Sequence, residues 1–161
     1  MSLWYHGTGF GNEIRESGTF KVSGSGGGNR GLRGAWFTQD KSYAKVYANA
    51  LREKSGDPEI LVVEIADDLK LMDFREAEAS VTGHMELLAA QWMLVGVDIY
   101  DAEVFGPIRA TQPFALTKVL VKKRYHGAII PNTVEKGDDA SPELVIFNPQ
   151  NINIIGSESI D

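Results

Sequence analysis

The sequence predicts an α+β fold in one domain covering residues 1–161. Two observations carry that reading. Short apolar runs rich in β-branched and aromatic residues, each bounded by turn residues, lie near both ends of the chain, and helical spacings lie between them. No internal repeat and no long linker interrupts a chain whose length suits one core, typically about 100–200 residues. With 43% hydrophobic and 24% charged residues, the composition is that of a globule with a substantial core.

The elements follow in order. Leu3-Trp4-Tyr5-His6 reads as a strand closed by Gly7-Thr8-Gly9, and residues 10–18 as a short helix that Gly18 ends. From Ser23 to Gly34 there is too little apolar surface for a regular element, so a loop is expected. Ala35-Trp36-Phe37-Thr38 resumes as a strand. Asp40 is placed to cap a helix from Lys41 to about Lys54, with Ala44, Val46, Tyr47 and Leu51 as its buried stripe. After the break at Ser55-Gly56-Asp57-Pro58, Glu59 to Ala66 reads as a central strand and Leu69 to Phe74 as a shorter one. A helix is expected over about Met85 to Val95, a connection bracketed by Pro107 and Pro113, and a helix over Phe114 to Arg124. Lys122, Lys123 and Arg124 stand at that helix's negative end. Gly127 to Ile130, Leu144 to Phe147 and Ile152 to Ile155 read as strands.

Charge and composition narrow the function classes. Sixteen basic residues against twenty-two acidic ones give a net charge of −6, which argues against gripping duplex DNA by bulk electrostatics and leaves room for a local basic patch. With no cysteine, disulfides, thiol nucleophiles and thiolate metal sites are excluded. No apolar run approaches the ~18 residues of a membrane span, and the start of the chain carries no signal-peptide pattern. The expectation is a soluble protein, cytoplasmic or delivered to the cytoplasm of a target cell, with no membrane partner. Ten of the 17 glycines fall between Gly7 and Gly34, an uneven loading that needs a reason.

Several residues could carry chemistry. His6, at a strand end before Gly7-Thr8, either bonds backbone or meets a ligand hydroxyl, with glycine letting the backbone approach closely. His84 and His126 lack the spacing of a helical metal site and read as structural, so no metal is expected. The glycine-rich loop with Arg30 and Arg33 is either a cradle for a pyrophosphate or a surface loop; it lacks the lysine and hydroxyl ending of a P-loop. Trp36, Phe37, Tyr43 and Tyr47 are either core or a platform for a flat, cationic ring. Glu143, at the mouth of an apolar strand, is either solvated or placed to stabilise a developing positive charge.

The order of these residues adds a resemblance. Leu3-Trp-Tyr-His6-Gly-Thr, then Gly34-Ala-Trp-Phe37-Thr followed by Ser42, Ala44 and Tyr47, then Glu143-Leu-Val-Ile-Phe-Asn-Pro, resemble the ADP-ribosyltransferase superfamily. The similarity is to its His-Tyr-Glu branch, which includes diphtheria toxin and the poly(ADP-ribose) polymerases. Glu13-Ile-Arg-Glu-Ser-Gly-Thr-Phe and Arg124-Tyr-His-Gly-Ala-Ile-Ile also look like small enzymes of this superfamily from phages and mobile elements, some of them anti-defence effectors.

That resemblance implies a split, strongly bent β-core of two packed sheets with flanking helices, and NAD⁺ as co-substrate in the cleft. It implies that His6 bonds an adenosine ribose hydroxyl, that Gly7 holds the nicotinamide carboxamide through its backbone beside Thr8, and that Tyr47 stacks on the nicotinamide. Glu143 would be the catalytic carboxylate, bonding a ribose hydroxyl and steadying the oxocarbenium ion. Gly24 to Gly31 would form a flap over the pyrophosphate with Arg30 or Arg33, poorly ordered without NAD⁺. The implied activity is a pentosyl transfer: mono-ADP-ribosylation of a macromolecular acceptor, protein first and nucleic acid second. The alternatives are an NAD⁺ glycohydrolase and an inactive domain that binds NAD⁺, ADP-ribose or a partner. Trp36 stands where the polymerases have tyrosine, so that role is open to Trp36, Tyr43 or Tyr47; Ala44 stands where they have a serine. Ser141, two residues before Glu143, departs from the arginine-modifying motifs.

Overall fold

A computed structural model describes residues 2–20, 22–24, 31–55, 57–79, 83–101, 103, 106–110, 112, 114–131 and 141–160. The strands are β1 (Ser2–Thr8), β2 (Ser23–Gly24), β3 (Arg33–Thr38), β4 (Glu59–Ile65), β5 (Leu71–Asp73), β6 (Gly127–Ile130), β7 (Glu143–Ile146) and β8 (Asn153–Ser159). The helices are α1 (Gly11–Ser17), α2 (Lys41–Ser55), α3 (Arg75–Ala79), α4 (His84–Leu94), α5 (Pro107–Ala110) and α6 (Ala115–Lys122). The class is α+β, as the sequence predicts.

The strands pair in the order β5-β6-β7-β3-β1-β4-β8, with β2 added on β3. β5 and β6 run parallel and every other pairing is antiparallel. This differs from the expected two packed sheets, because hydrogen bonding continues from one edge to the other. The path is narrow at one place: β1 and β3 pair in register only at Tyr5↔Thr38, whereas β1 pairs with β4 from Ser2↔Ile65 to Thr8↔Glu59. That seam divides the sheet into a β5-β6-β7-β3 half and a β1-β4-β8 half.

Period-two alternation of side chains explains what holds the halves together. On one face Trp4, Phe37, Leu61, Val63, Leu144 and Ile146 form a single cluster with Ile14 of α1 and Phe20, and it includes residues from both sides of the seam. Truncating a fully buried member such as Leu61 to alanine would cost about 2–5 kcal/mol. The other face carries two separate clusters. Met72, Ala128, Ile130 and Val145 pack under Leu88 and Trp92 of α4 and Leu116 and Leu120 of α6. Ala44 and Ala48 of α2 pack with Ile60, Ile160 and Tyr5. The boundary between these two clusters falls at the β1–β3 seam, so the sheet is sealed below and divided above.

Local chemistry sets the helix ends. Asp40 caps α2 as expected, its Oδ1 accepting from the N–H of Ser42 at 2.8 Å and of Tyr43 at 3.3 Å. Gly18 ends α1 with φ of 66°, a left-handed conformation that favours glycine. The buried stripe of α2 is corrected: Tyr43, Ala44 and Ala48 face inward, while Val46 is 62% and Tyr47 43% exposed; the Leu51 side chain lies outside the described residues. Small residues win the inward positions because α2 lies directly on β1, as Gly7 shows below. Three further differences are local. Ser23–Gly24, expected in a loop, extends the sheet by pairing with Gly34 and Arg33. The bracketed connection after Pro107 contains α5, and α6 begins and ends inside its expected bounds because Phe114 and Arg124 adopt left-handed φ values of 59° and 67°.

Candidate functional site

The divided face at the seam receives side chains from β1, β3, β7 and α2. Thr38 stands opposite Tyr5 on one side and Glu143 on the other. Register partners project from the same face, so Tyr5, Thr38 and Glu143 form a row across three strands. Gly7 and Trp36 share that face by alternation.

Gly7 fixes the distance between α2 and the seam. A Cβ there would fall 2.0 Å from the Ala44 carbonyl oxygen and 3.1 Å from the Ala48 nitrogen, so the helix backbone occupies the space a side chain would need. Ala44 points its methyl into the cluster with Ala48, Ile60 and Ile160. A serine hydroxyl at this position would enter apolar packing, which accounts for alanine here.

The same stretch of α2 carries two tyrosines, one on either side of Ala44. Tyr43 is buried and Tyr47 is 43% exposed. Their spacing of four residues stacks them, with ring centroids 5.5 Å apart at 69°. Burial and the negative charge of Glu143 raise the Tyr47 hydroxyl above its ordinary pKa, and a hydrogen bond from Tyr43 offsets part of that rise. The site therefore joins a carboxylate to an exposed aromatic ring whose hydroxyl remains protonated at neutral pH.

His6 alternates to the opposite face from Gly7 and stands in the opening between β1 and β3. Its ring meets Phe20 edge-on at 5.0 Å and Phe37 at 5.5 Å. Nδ1 lies 2.6 Å from the Trp36 carbonyl. A carbonyl only accepts, so Nδ1 carries the proton and the neutral ring keeps a lone pair on Nε2. Desolvation among these rings lowers the imidazole pKa, against a smaller raising effect of the Trp36 bond. The result is a neutral imidazole with one acceptor to offer a hydroxyl.

The remaining expected site residues are dispersed. Phe37 is a core residue, 2% exposed. Trp36 is partly buried and packs against the α4–α6 cluster. Thr8 is buried, and its hydroxyl accepts from the Phe10 N–H at 3.0 Å. Arg33 sits at the far end of β3 from Thr38, with its guanidinium 5.4 Å from the centre of the Phe114 ring. Of the flap expected over Gly24 to Gly31, residues 25–30 with Arg30 lie outside the described residues, while Gly24 pairs with Arg33 and the Gly31 carbonyl accepts from Thr117.

The sequence reading missed two contacts. Phe20 closes over His6, with no signal beyond its being apolar. Thr117, inside α6, ties the end of the glycine-rich segment to the helix. Its N–H and hydroxyl both donate to the Gly31 carbonyl, at 3.1 and 2.9 Å, and its hydroxyl oxygen accepts from the Arg33 N–H at 2.9 Å.

Among the described residues, no group of three or more His, Asp and Glu side chains is placed to hold a metal, and no helix is long and apolar enough to cross a membrane. Comparison with protein-family models, with curated proteins and with solved structures gave no match.

Proposed function

We propose that the protein is an NAD⁺-dependent mono-ADP-ribosyltransferase whose cleft is the divided face at the β1–β3 seam. The observation that carries this reading is the row Tyr5, Thr38, Glu143 where the sheet pairs most thinly, with the Glu143 charge within electrostatic reach of the half-exposed Tyr47. The chemistry needs what these groups offer. In the transfer, the bond between the ribose C1′ and the nicotinamide nitrogen breaks, its electron pair leaves with nicotinamide, and positive charge develops on the sugar. A fixed carboxylate at Glu143 stabilises that charge more than it stabilises the ground state. The acceptor then forms a bond to C1′ and releases a proton.

The supporting residues have matching roles. Tyr47 presents a flat, half-exposed face for the cationic nicotinamide ring. Neutral His6, its Nδ1–H held by Trp36, keeps an acceptor on Nε2; it projects from the face opposite the Glu143 row, so it would reach a ribose hydroxyl through the opening between β1 and β3. Gly7 keeps β1 and α2 in direct backbone contact, so the wall that carries Tyr47 stays at a fixed distance from β1. Ala44 offers no hydroxyl for the carboxamide, leaving backbone groups for that task. The resemblance to small enzymes of phages and mobile elements makes an anti-defence or toxin-like effector the setting in which we place the activity.

The test is release of nicotinamide from labelled NAD⁺ by the purified protein. Wild type should release it, and Glu143→Ala should reduce the rate about 10²–10³-fold. Equal background rates in the two would remove the enzyme reading and leave a binding domain. Adenylate-labelled NAD⁺ with cell lysate identifies the acceptor: label on macromolecules supports transfer, and free ADP-ribose alone would make the protein a glycohydrolase.

A further inference from the structure

We propose that the surface where α6 turns into β6 binds single-stranded nucleic acid, seating a base in an apolar recess and adjacent phosphates on its basic rim. The recess holds about 120 Å³. Leu69, Val121, Tyr125 and Phe147 wall it, and His126 and Asn148 supply its polar groups. It is distinct from the NAD⁺ cleft, since Glu143 begins β7 while the recess lies past the end of that strand, about 10 Å further along. The proposal does not depend on the transferase reading.

The rim is a concentration of positive charge on an acidic protein. Lys70 follows Leu69, Lys122 follows Val121, and Lys123 and Arg124 precede Tyr125, all of them exposed. Among the described residues that adjoin the lining in sequence, these four cations stand against the carboxylates of Asp67 and Asp68, and Glu64 accepts from Asn153 beside Ile152. Lys70 is held at the mouth, its Nζ 4.1 Å from the centre of the Tyr125 ring and donating to the Lys123 carbonyl at 3.1 Å. The end of a helix attracts cations in its last turn, but Arg124 lies beyond α6 with a left-handed backbone, and the helix end already receives Lys70. The rim carries more charge than the helix end requires.

The polar groups in the recess suit a base edge. The Lys70 N–H donates to Nδ1 of His126 at 2.9 Å, so the neutral ring carries its proton on Nε2 and presents a donor. Asn148 uses its Oδ1 to accept from the Gln150 N–H at 3.3 Å, which leaves its amide hydrogens as donors. Base edges carry carbonyl oxygens and ring nitrogens that accept such bonds, and unstacked bases settle against aromatic walls beside a basic track. A purely acidic peptide such as polyglutamate would satisfy the rim and leave the apolar recess unfilled. The net charge of −6 disfavours a duplex, which demands a broad basic surface, while a short single strand needs only this patch.

Fluorescence anisotropy without NAD⁺ tests the proposal, using labelled 12-nucleotide oligo(rU) and oligo(dT) and a labelled polyglutamate peptide of equal length. The oligonucleotides should bind with a strong salt dependence, and the peptide at least about ten-fold more weakly. Lys122→Ala with Lys123→Ala should make the log–log salt slope shallower by about 1.4, at about 0.7 for each lost phosphate contact. Val121→Glu, at a 52% exposed helix position, should weaken binding about five-fold or more by placing a charge at the wall. Unchanged melting temperatures establish that both variants fold, and Lys45→Ala on α2 is the control for a positive charge lost elsewhere, matching Val121→Glu in net charge. The proposal is overturned by no binding at millimolar protein, by equal binding of the peptide, or by both recess variants behaving as Lys45→Ala.

Discussion

His6 and Trp36 face each other across the β1–β3 seam, and the imidazole Nδ1–H donates to the Trp36 carbonyl at 2.6 Å. Continuing the register from Tyr5↔Thr38 would set Gly7 opposite Trp36, so a side chain takes the carbonyl that ordinary strand pairing would address. The ring thus substitutes for strand pairing where the strands part, and it does so among Phe20 and Phe37, where charge is costly.

Acid should therefore act on the seam first. The folded pKa of His6 is below its ordinary 6.5, so under pH 6.5 the unfolded chain binds a proton that the folded ring resists, and stability falls as pH drops from there toward the folded pKa. Asp73, whose carboxyl is held low by its hydrogen bonds from Arg75, acts in a separate window below 3.8. Urea denaturation from pH 7.5 to 4.5 should show a decline starting near 6.5 that His6→Gln removes. An identical decline in that variant would assign the effect to other groups.

Gly7→Ala should be among the more damaging single methyl additions. The added carbon meets the Ala44 carbonyl at 2.0 Å, backbone within a helix that cannot rotate away. Overpacking typically costs about 1–3 kcal/mol, and rigid backbone as the obstacle puts this case at the upper end. Gly18→Ala gives the contrast. Nothing lies within 4 Å of its added carbon, and only the φ of 66° is unfavourable, a penalty of about 1–2 kcal/mol. Thermal denaturation of the pair would rank them, and equal losses would mean that α2 shifts easily off β1.

Much of this fold was legible in the sequence because its signals are local. Asp40 before a helical run and Gly18 after one act within a few residues, and the β-branched run from Glu59 marks an internal strand from composition alone. Tyr47 belongs to the expected stripe yet is exposed, because helical spacing marks a stripe without its centre; Gly7 decides that, by drawing Ala44 and Ala48 onto β1. The His6 partner was invisible, since any residue at position 36 supplies a carbonyl. The row of Thr38 and Glu143 depends on register between strands about a hundred residues apart, and the order of motif residues was its only trace.

Thr117 is the clearest contact that sequence could not disclose. Its hydroxyl donates to the Gly31 carbonyl and accepts from the Arg33 N–H, both at 2.9 Å, linking segments 84 and 86 residues away. Thr117→Val keeps the shape of the side chain and removes both bonds. The expected loss is about 1–2 kcal/mol by urea denaturation, with faster amide exchange at Arg33. Exchange at Arg33 equal to wild type would show that the bond does not hold the end of the glycine-rich segment.

Tyr47 and Glu143 provide the most direct check on the candidate site. Burial and the Glu143 carboxylate raise the Tyr47 hydroxyl, and the Tyr43 hydrogen bond lowers it, so the two neighbours pull in opposite directions. Glu143→Gln removes the negative charge and should move the Tyr47 titration down, toward the ordinary value of 10.0. Tyr43→Phe removes the donor that favours the phenolate and should move it up. Ultraviolet difference titration against a Tyr47→Phe background isolates this hydroxyl from the other four tyrosines. Opposite shifts would place the carboxylate within reach of the ring proposed to meet nicotinamide. No shift in Glu143→Gln would separate the two residues, and the transferase reading would lose the observation that carries it.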